Sequence, residues 1–256
     1  MENKSFLSLV LVTVLALVAS APAARAEVVD WDNPAITWFS GSPGLIDING
    51  DAVYDLKIET TGSVQAAYPL KIGSPYTGGF AGHTAVQLFT SFGTPGGMDV
   101  TVTFLPGGLY GTGARNLNYS LFDVDGVGLA LSGTDIISGS QASLVAGGTA
   151  GPATMTPTAP FNTLTGPDSA AGLLIANDNS AQGTVTTTYG NDAIRSFVFH
   201  YDNPISPANG IALGDLSFDF DISPVPEAGT VAACAVFSLL GAWGLRRMRR
   251  EQPTAV

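Results

Sequence analysis

Oxygen-bearing side chains recur at alternate positions in one short stretch of the amino-acid sequence. The stretch reads Asp47-Ile48-Asn49-Gly50-Asp51-Ala52-Val53-Tyr54-Asp55. Its oxygen donors stand at positions 1, 3, 5 and 9, supplied by Asp47, Asn49, Asp51 and Asp55, with the main-chain carbonyl of Val53 available at position 7. Ca²⁺ takes six to eight oxygen ligands, and a tight loop can aim alternate side chains at one ion. The spacing therefore makes this stretch a candidate calcium site.

A β-hairpin is the competing interpretation of the same stretch. The spacing resembles the D-x-N-x-D-G-x-x-D calcium loops of dockerins, FG-GAP repeats and thrombospondin type 3 repeats, but Ala52 replaces their glycine and Ile58 stands where a bidentate acid would. Asn49-Gly50 is also the favoured pair for a two-residue type I′ turn. Such a turn would join Leu45–Ile48 to Asp51–Ile58 and leave the aspartates at a solvated hairpin edge. The sequence leaves both interpretations open.

Two further carboxylates, Asp123 and Asp125, stand at the end of a predicted strand at Asn116–Val124. Side chains two residues apart on a strand point to the same side of the sheet. The pair could therefore bind a metal cation or act as general acid and base. The Asp-x-Asp-Gly pattern is equally typical of an ordinary turn that follows a strand.

No catalytic motif accompanies these carboxylates. His83 and His200 do not form the His-Glu-x-x-His pattern of a zinc protease, and the Gly-x-Ser-x-Gly turn of an α/β-hydrolase is absent. The only cysteine, Cys234, lies in a hydrophobic C-terminal segment, which excludes thiol catalysis and disulfides from the rest of the chain. We therefore expect a protein that is not an enzyme. A polysaccharide-active hydrolase or lyase using Asp123 or Asp125 is the less favoured alternative.

Aromatic and amide side chains offer a different chemistry, sugar binding. Loop tips such as Asn177-Asp178-Asn179 could hydrogen-bond sugar hydroxyls, although such residues are also common in plain turns. Five aromatic residues could stack on sugars, and core packing is the alternative for the tryptophans among them. They are Trp31, Trp38, Tyr54, Tyr68 and Tyr76. A calcium-dependent carbohydrate-binding, lectin-like module is thus an alternative function.

The candidate site residues must be positioned by strands. The sequence shows short β-type runs that are separated by clusters of Gly, Pro, Asn and Asp. The predicted strands are Ile36–Phe39, Val53–Thr60, Thr84–Thr90, Met98–Phe104, Asn116–Val124, Ala171–Ala176, Gly183–Tyr189, Ala193–Tyr201 and Leu216–Ile222. Several alternate with period two, and Leu117, Tyr119 and Leu121 share one face. Residues 27–223 contain no amphipathic helical stripe, which indicates an all-β, jelly-roll-like β-sandwich. The stretch Ser138–Pro167, rich in Gly, Ala, Thr and Pro, is predicted to form long loops.

The charge of this domain excludes one class of partner. Residues 27–223 contain four basic and eighteen acidic side chains, hence a net charge of −14, against −11 for the whole chain. Such a surface repels phosphate backbones, so we expect no nucleic-acid partner. It suits divalent cations and solubility in a polyanionic surrounding.

The N-terminus carries a targeting signal. Lys4, the apolar run Phe6–Ala19 and the cleavage pattern Ala24-Arg25-Ala26 predict a signal peptide over residues 1–26. Glu27 is then the first residue of the mature protein. The apolar run is too short to span a membrane comfortably, so a cleaved signal is favoured over an anchor.

The C-terminal segment has three parts. Val225-Pro226-Glu227 is followed by the uncharged run Gly229–Leu245, which would span about 25 Å as a transmembrane helix. A basic stop comes next and consists of Arg246, Arg247, Arg249 and Arg250. Because positive residues favour the cytoplasmic side of a membrane, this helix predicts an outward-facing body and a cytoplasmic tail at residues 251–256.

The order of motif, apolar helix and arginine cluster over residues 224–250 resembles the PEP-CTERM sorting signal of Gram-negative bacteria, with Ala228 in place of the usual second proline. The resemblance implies a membrane-embedded exosortase as processing partner and delivery to the cell surface or the exopolysaccharide matrix. We therefore expect an exported protein with a structural or adhesive role, whose β-sandwich occupies residues 27–223.

Intact-mass measurement of the mature protein from its native host tests both targeting signals. We expect a polypeptide that begins at Glu27, and an end near Pro226-Glu227 would indicate exosortase processing. A mass that includes Gly229 to Val256 would instead identify a permanent membrane anchor.

Overall fold

The structure, a computed structural model, describes residues 26–73, 76–90, 97–106, 113–126, 134–178, 180–203 and 210–220. The signal peptide up to Arg25, the sorting motif, the helix Gly229–Leu245 and the basic stop were predicted in parts of the chain outside these residues. Across the described ranges, no helix has the length and apolar character needed to cross a membrane.

Regular structure in the described residues consists of fourteen strands. They are β1 (Ala26–Val29), β2 (Gly44–Ile46), β3 (Leu56–Gly62), β4 (Leu70–Ile72), β5 (Ala85–Phe89), β6 (Met98–Phe104), β7 (Ala114–Phe122), β8 (Ile136–Leu144), β9 (Thr154–Pro157), β10 (Asn162–Gly166), β11 (Ser169–Gly172), β12 (Val185–Thr188), β13 (Ile194–Asp202) and β14 (Gly210–Phe220).

Antiparallel pairing arranges these strands in two layers. In the first, called the β13 layer, the order is β2-β3-β6-β13-β8-β11-β10. In the second, the β14 layer, the run β9-β12-β7-β14 is continued by β5 and β4 along one part of β14 and by β1 along another. Pairing of Ile194 in β13 with Ala114 in β7 links the two layers.

The core lies between the inward-facing side chains of the two layers. In β6, for example, every second residue from Met98 to Phe104 is buried and the residues between them are half-buried. Tyr119 of β7 stacks on Phe197 of β13 with ring centroids 5.0 Å apart. Phe104 of β6 meets Phe218 of β14 edge to face, also at 5.0 Å. These contacts between layers confirm the predicted all-β sandwich; its jelly-roll type stays a prediction.

Strand predictions hold where side chains alternate across one buried face. The bounds of β6 coincide with the predicted strand Met98–Phe104. In β7, Leu117, Tyr119 and Leu121 are all buried, as their shared face predicts. Period-two alternation therefore identified the strands that build the core.

Two other predictions are wrong. Ile36–Phe39 forms no strand, because the amide of Ile36 donates to the carbonyl of Asn33 at 3.1 Å in a turn, and Ile36 and Trp38 enter the core from a loop. The stretch Ser138–Pro167 does not consist of long loops, since it contains most of β8 together with β9 and β10. Its small residues give a weak strand signal, but backbone pairing with β13, β12 and β11 holds these strands in the layers.

Truncation of a side chain between the layers should destabilise the fold strongly. Phe197 is fully buried, so Phe197→Ala should lower the free energy of unfolding by about 3–5 kcal/mol in equilibrium urea denaturation. Phe39 is 67% exposed, and Phe39→Ala should change the free energy of unfolding by no more than about 0.5 kcal/mol. Equal effects of the two substitutions would contradict this packing.

Candidate functional site

A second, smaller apolar cluster lies on the outer face of the β14 layer. Phe122 at the end of β7 forms it with Ala85 and Ala212, and Tyr76 packs against them. Because side chains alternate along β7, Phe122 and Ser120 share the face opposite the core. This outer face is the base of the candidate site.

An open cleft of about 320 Å³ lies where residues 76–84 cross this outer face. The crossing is close: Gly78 has φ +62°, and a Cβ added to it would lie 2.5 Å from the Phe122 ring. Phe80 is 57% exposed, and its ring centroid is 6.4 Å from that of the buried Phe122. The cleft thus carries an exposed aromatic ring. Its lining consists of Thr77, Phe80, His83, Thr84, Ser120, Phe122, Gly214 and Asp215.

Two carboxylates organise the polar side of the cleft. The Nδ1 atom of His83 lies 2.9 Å from Oδ2 of Asp32, and the amide of Thr84 donates to Oδ1 of Asp32 at 2.6 Å. Hydrogen bonding from Thr84 holds the pKa of Asp32 below its usual range. Asp215 accepts a hydrogen bond at Oδ1 from the amide of Trp31 at 3.0 Å, and burial raises its pKa. The cleft therefore combines an aromatic ring with imidazole, hydroxyl and carboxylate groups.

The stretch 47–55, here called the aspartate loop, connects β2 to β3. Pairing of these strands ends at Ile46 with Leu56, and the amide of Asp55 donates to the carbonyl of Ile46 at 2.8 Å. Nine residues therefore join the strands, and the predicted two-residue turn at Asn49-Gly50 is wrong. The strand predicted to begin at Val53 begins at Leu56 for the same reason.

Side-chain oxygens in the aspartate loop accept hydrogen bonds from its own amides. Asp47 accepts from Gly50 through Oδ1 at 2.7 Å and from Ala52 through Oδ2 at 2.8 Å. Asn49 Oδ1 accepts from the amide of Asp51 at 2.9 Å. Ala52 has φ +68°, the left-handed conformation that favours glycine. Alanine thus adopts the backbone that glycine supplies in the calcium loops this sequence resembles.

Asp55 closes the loop and is only 1% exposed. Its Oδ2 accepts the amide of Ile48 at 2.8 Å, whereas its Oδ1 is enclosed and has no hydrogen-bond partner. Burial raises the pKa of Asp55. Nowhere in the described residues do three or more His, Cys, Asp or Glu side chains converge closely enough to hold a metal ion.

Asp123 and Asp125 lie just beyond the end of β7. Asp123 has φ +63°, so strand alternation stops at Phe122 rather than at the predicted Val124. The Oδ1 atom of Asp123 is enclosed without a hydrogen-bond partner. Burial, followed by the charge of Asp125, raises the pKa of Asp123 to about 8. Asp123 and Asp125 therefore lie in a turn and not on a strand, so strand alternation does not set the directions of their side chains.

Asp135 joins these two carboxylates, a contact that the sequence did not indicate. Its Oδ1 accepts hydrogen bonds from the hydroxyl of Tyr201 and the side-chain amide nitrogen of Asn203, both at 2.7 Å. Its Oδ2 accepts the amide of Asp125 at 3.2 Å. Burial raises the pKa of Asp135 to about 7. We call the half-buried Asp123 and Asp125, together with the fully buried Asp135, the buried aspartate cluster.

The aromatic residues of the cleft differ from those predicted. Trp31 and Trp38 are core residues, the alternative that the sequence allowed, while Tyr54 is 50% exposed in the aspartate loop. Phe80 was not among the five predicted aromatic residues. One feature of the sequence could have indicated Phe80. It directly follows Gly78-Gly79 in a turn-rich stretch, where its ring cannot be buried in a strand.

Comparison with known proteins gives only distant likenesses. The chain matches no known family, and no curated protein matches it. Among solved structures, it is similar to the family 11 carbohydrate-binding module of the cellulosomal cellulase Lic26A-Cel5E of Clostridium thermocellum, at 12% identity and a TM-score of 0.30 over 69% of this chain and 94% of that one. A family 11 carbohydrate-binding module from Clostridium thermocellum in complex with a β-1,3-1,4-mixed-linked tetrasaccharide matches at 9% identity and a TM-score of 0.29, over 71% and 96%.

Stability should fall as pH rises, because burial favours the protonated form of Asp123. Its pKa rises from 3.8 to about 8 on folding, so its stabilising contribution is present below pH 3.8 and is lost progressively as the pH approaches 8. Asp123→Asn should flatten this fall and raise the free energy of unfolding at pH 8 by about 1–3 kcal/mol, because it removes an uncompensated charge.

Urea denaturation between pH 5 and pH 8.5 in EDTA measures this effect without interference from metal ions. Asp192→Asn, at an exposed aspartate, is the matched control and should leave the pH dependence unchanged. A pH dependence in Asp123→Asn equal to that of the parent protein would contradict the prediction.

Proposed function

We propose that this protein is an exported, surface- or matrix-sorted β-sandwich that binds carbohydrate in the cleft beside Phe80. The observation that carries the proposal is the exposed ring of Phe80 next to His83 and Asp215 in one cavity. A sugar ring has an apolar face of C–H groups and a rim of hydroxyls. An aromatic ring packs on the apolar face, while imidazole and carboxylate groups hydrogen-bond to the hydroxyls.

The size and charge of the cleft indicate which class of sugar it would bind. Its volume of about 320 Å³ falls at the small end of the range for ligand sites, which suits a short stretch of a glycan. Asp215 and Asp32 stand on its polar side, and the body of the chain carries a large acidic excess. These charges repel uronate and sulfate groups. The preferred ligand is therefore a neutral polysaccharide.

Carbohydrate binding in the cleft would explain the adhesive role that we expect from the sequence. The signal peptide and the C-terminal sorting segment support export, and a glycan-binding cleft would attach the exported protein to exopolysaccharide. The rival enzymatic function finds little support, because Oδ1 of Asp123 is enclosed and neither Asp123 nor Asp125 lines the cleft.

Glycan binding by the full chain tests the proposal. The protein, held in a zwitterionic detergent that carries no sugar, is applied to an array of neutral and anionic glycans, and positives are quantified by calorimetry. We expect binding to neutral glycans, and Phe80→Ala should weaken it at least about tenfold, a loss of roughly 1.4 kcal/mol.

The matched control is Phe39→Ala, which removes an even more exposed phenylalanine outside the cleft and should leave the affinity unchanged. Arms with EDTA and with Ca²⁺ separate calcium-dependent from calcium-independent binding. Silence on every glycan, or equal weakening by the two substitutions, would defeat the proposal.

A further inference from the structure

The aspartate loop, residues 47–55, plays no part in the cleft and carries a concentration of negative charge. It holds Asp47, Asp51 and Asp55 within nine residues. No lysine, arginine or histidine among the described residues pairs with any of them; the nearest basic residue along the chain, Lys57, pairs with Glu59 at 2.7 Å. None of the three carboxylates therefore has a counter-charge from a described protein side chain.

Asp55 supplies independent evidence that this loop lacks a partner. It is 1% exposed, yet its Oδ1 atom is enclosed and accepts no hydrogen bond. Leaving a buried carboxylate oxygen unpaired costs more than leaving a neutral group unpaired, so native structures provide such an atom with a donor or a cation. The loop contains acceptors but no cationic side chain, which indicates a cation from solution.

Other oxygens of the loop retain acceptor capacity. Oδ2 of Asp47, Oδ1 of Asn49 and Oδ1 of Asp51 each accept one amide hydrogen bond, from Ala52, Asp51 and Val53 respectively. A carboxylate or amide oxygen has two lone pairs, so each can accept a second partner. With the carbonyl of Val53 and Oδ1 of Asp55, the loop offers five oxygen atoms.

We propose that the aspartate loop binds one Ca²⁺ ion through Asp47, Asn49, Asp51, Asp55 and the main-chain carbonyl of Val53. An all-oxygen set with several carboxylates suits a hard cation, and Ca²⁺ accepts a less regular arrangement of oxygen ligands than the strictly octahedral Mg²⁺. The absence of histidine and cysteine from the loop disfavours zinc and copper. Because the carboxylates do not converge in this structure, binding must draw Asp47 and Asp51 toward Asp55.

The role of this ion is structural. Asp55 directly precedes β3, and the carbonyl of Asp55 accepts the amide of Leu105, which follows β6. An ion on Asp55 would therefore fasten the loop to the end of two core strands. Ligands that bind only the folded state raise its stability by mass action.

Thermal unfolding of the full chain tests the site, with circular dichroism in EDTA, in CaCl₂ and in MgCl₂. At a Ca²⁺ concentration roughly 100-fold above Kd, the midpoint should rise by about 5–10 °C, and the same concentration of Mg²⁺ should raise it much less. Calorimetric titration with Ca²⁺ should give one bound ion per chain. No rise at millimolar Ca²⁺ would overturn the proposal.

Four variants, one of them a control, locate the ion. Asp51→Ala and Asp55→Asn should each abolish the Ca²⁺-induced rise, and because Asp55→Asn removes the buried charge, its midpoint in EDTA should not fall below that of the parent. The control Asp192→Ala should keep the full rise. An equal loss of the Ca²⁺-induced rise in Asp192→Ala would overturn the proposal. A rise that survives Asp51→Ala but disappears in Asp123→Asn would also overturn it, because it would place the ion at the buried aspartate cluster.

Discussion

The cleft depends on one irregularity in β14, which Trp31 holds in place. Pairing of β14 with β7 shifts register between Leu213 and Leu216, and the residues within the shift are Gly214 and Asp215. A bulge of this kind re-aims side chains at the edge of a functional surface. The indole nitrogen of Trp31 donates to the carbonyl of Gly214 at 2.9 Å, and its amide donates to Asp215. Because Trp31 is fully buried, the core itself fixes the carboxylate of the cleft.

Scarcity of positive charge is the second constraint on this sandwich. Burial is the largest influence on the pKa of Asp55, Asp123 and Asp135, and it raises all three. A neighbouring cation is not the main influence on any of them. Buried carboxylates without counter-charge oppose folding at neutral pH. The three carboxylates differ, because Asp135 accepts hydrogen bonds from hydroxyl and amide donors, while Asp55 and Asp123 each keep one oxygen unpaired. Of these two, Asp55 lies in a loop whose other oxygens could share a cation with it.

The sequence predicted the layers well and the cleft poorly, for a physical reason. Alternation reports which face of a strand is buried, so Leu117, Tyr119 and Leu121 could be assigned from the sequence alone. The cleft arises where residues 76–84 meet β7 and β14, which are far away in the sequence, and no local pattern reports such a contact. In the aspartate loop, Asn49-Gly50 favours a tight turn locally, but the register of β2 with β3 overrides it.

The small cleft and the proposed sorting tail complement each other. A cleft of about 320 Å³ would contact only a short stretch of glycan, so one contact would give modest affinity. A polysaccharide repeats its binding unit, and copies of the protein retained on one surface would engage the same polymer together. The second contact is then intramolecular and governed by effective concentration, so avidity exceeds the affinity of each cleft. Under this proposal, delivery of many copies to one surface would supply the binding strength that a deeper pocket would otherwise have to provide.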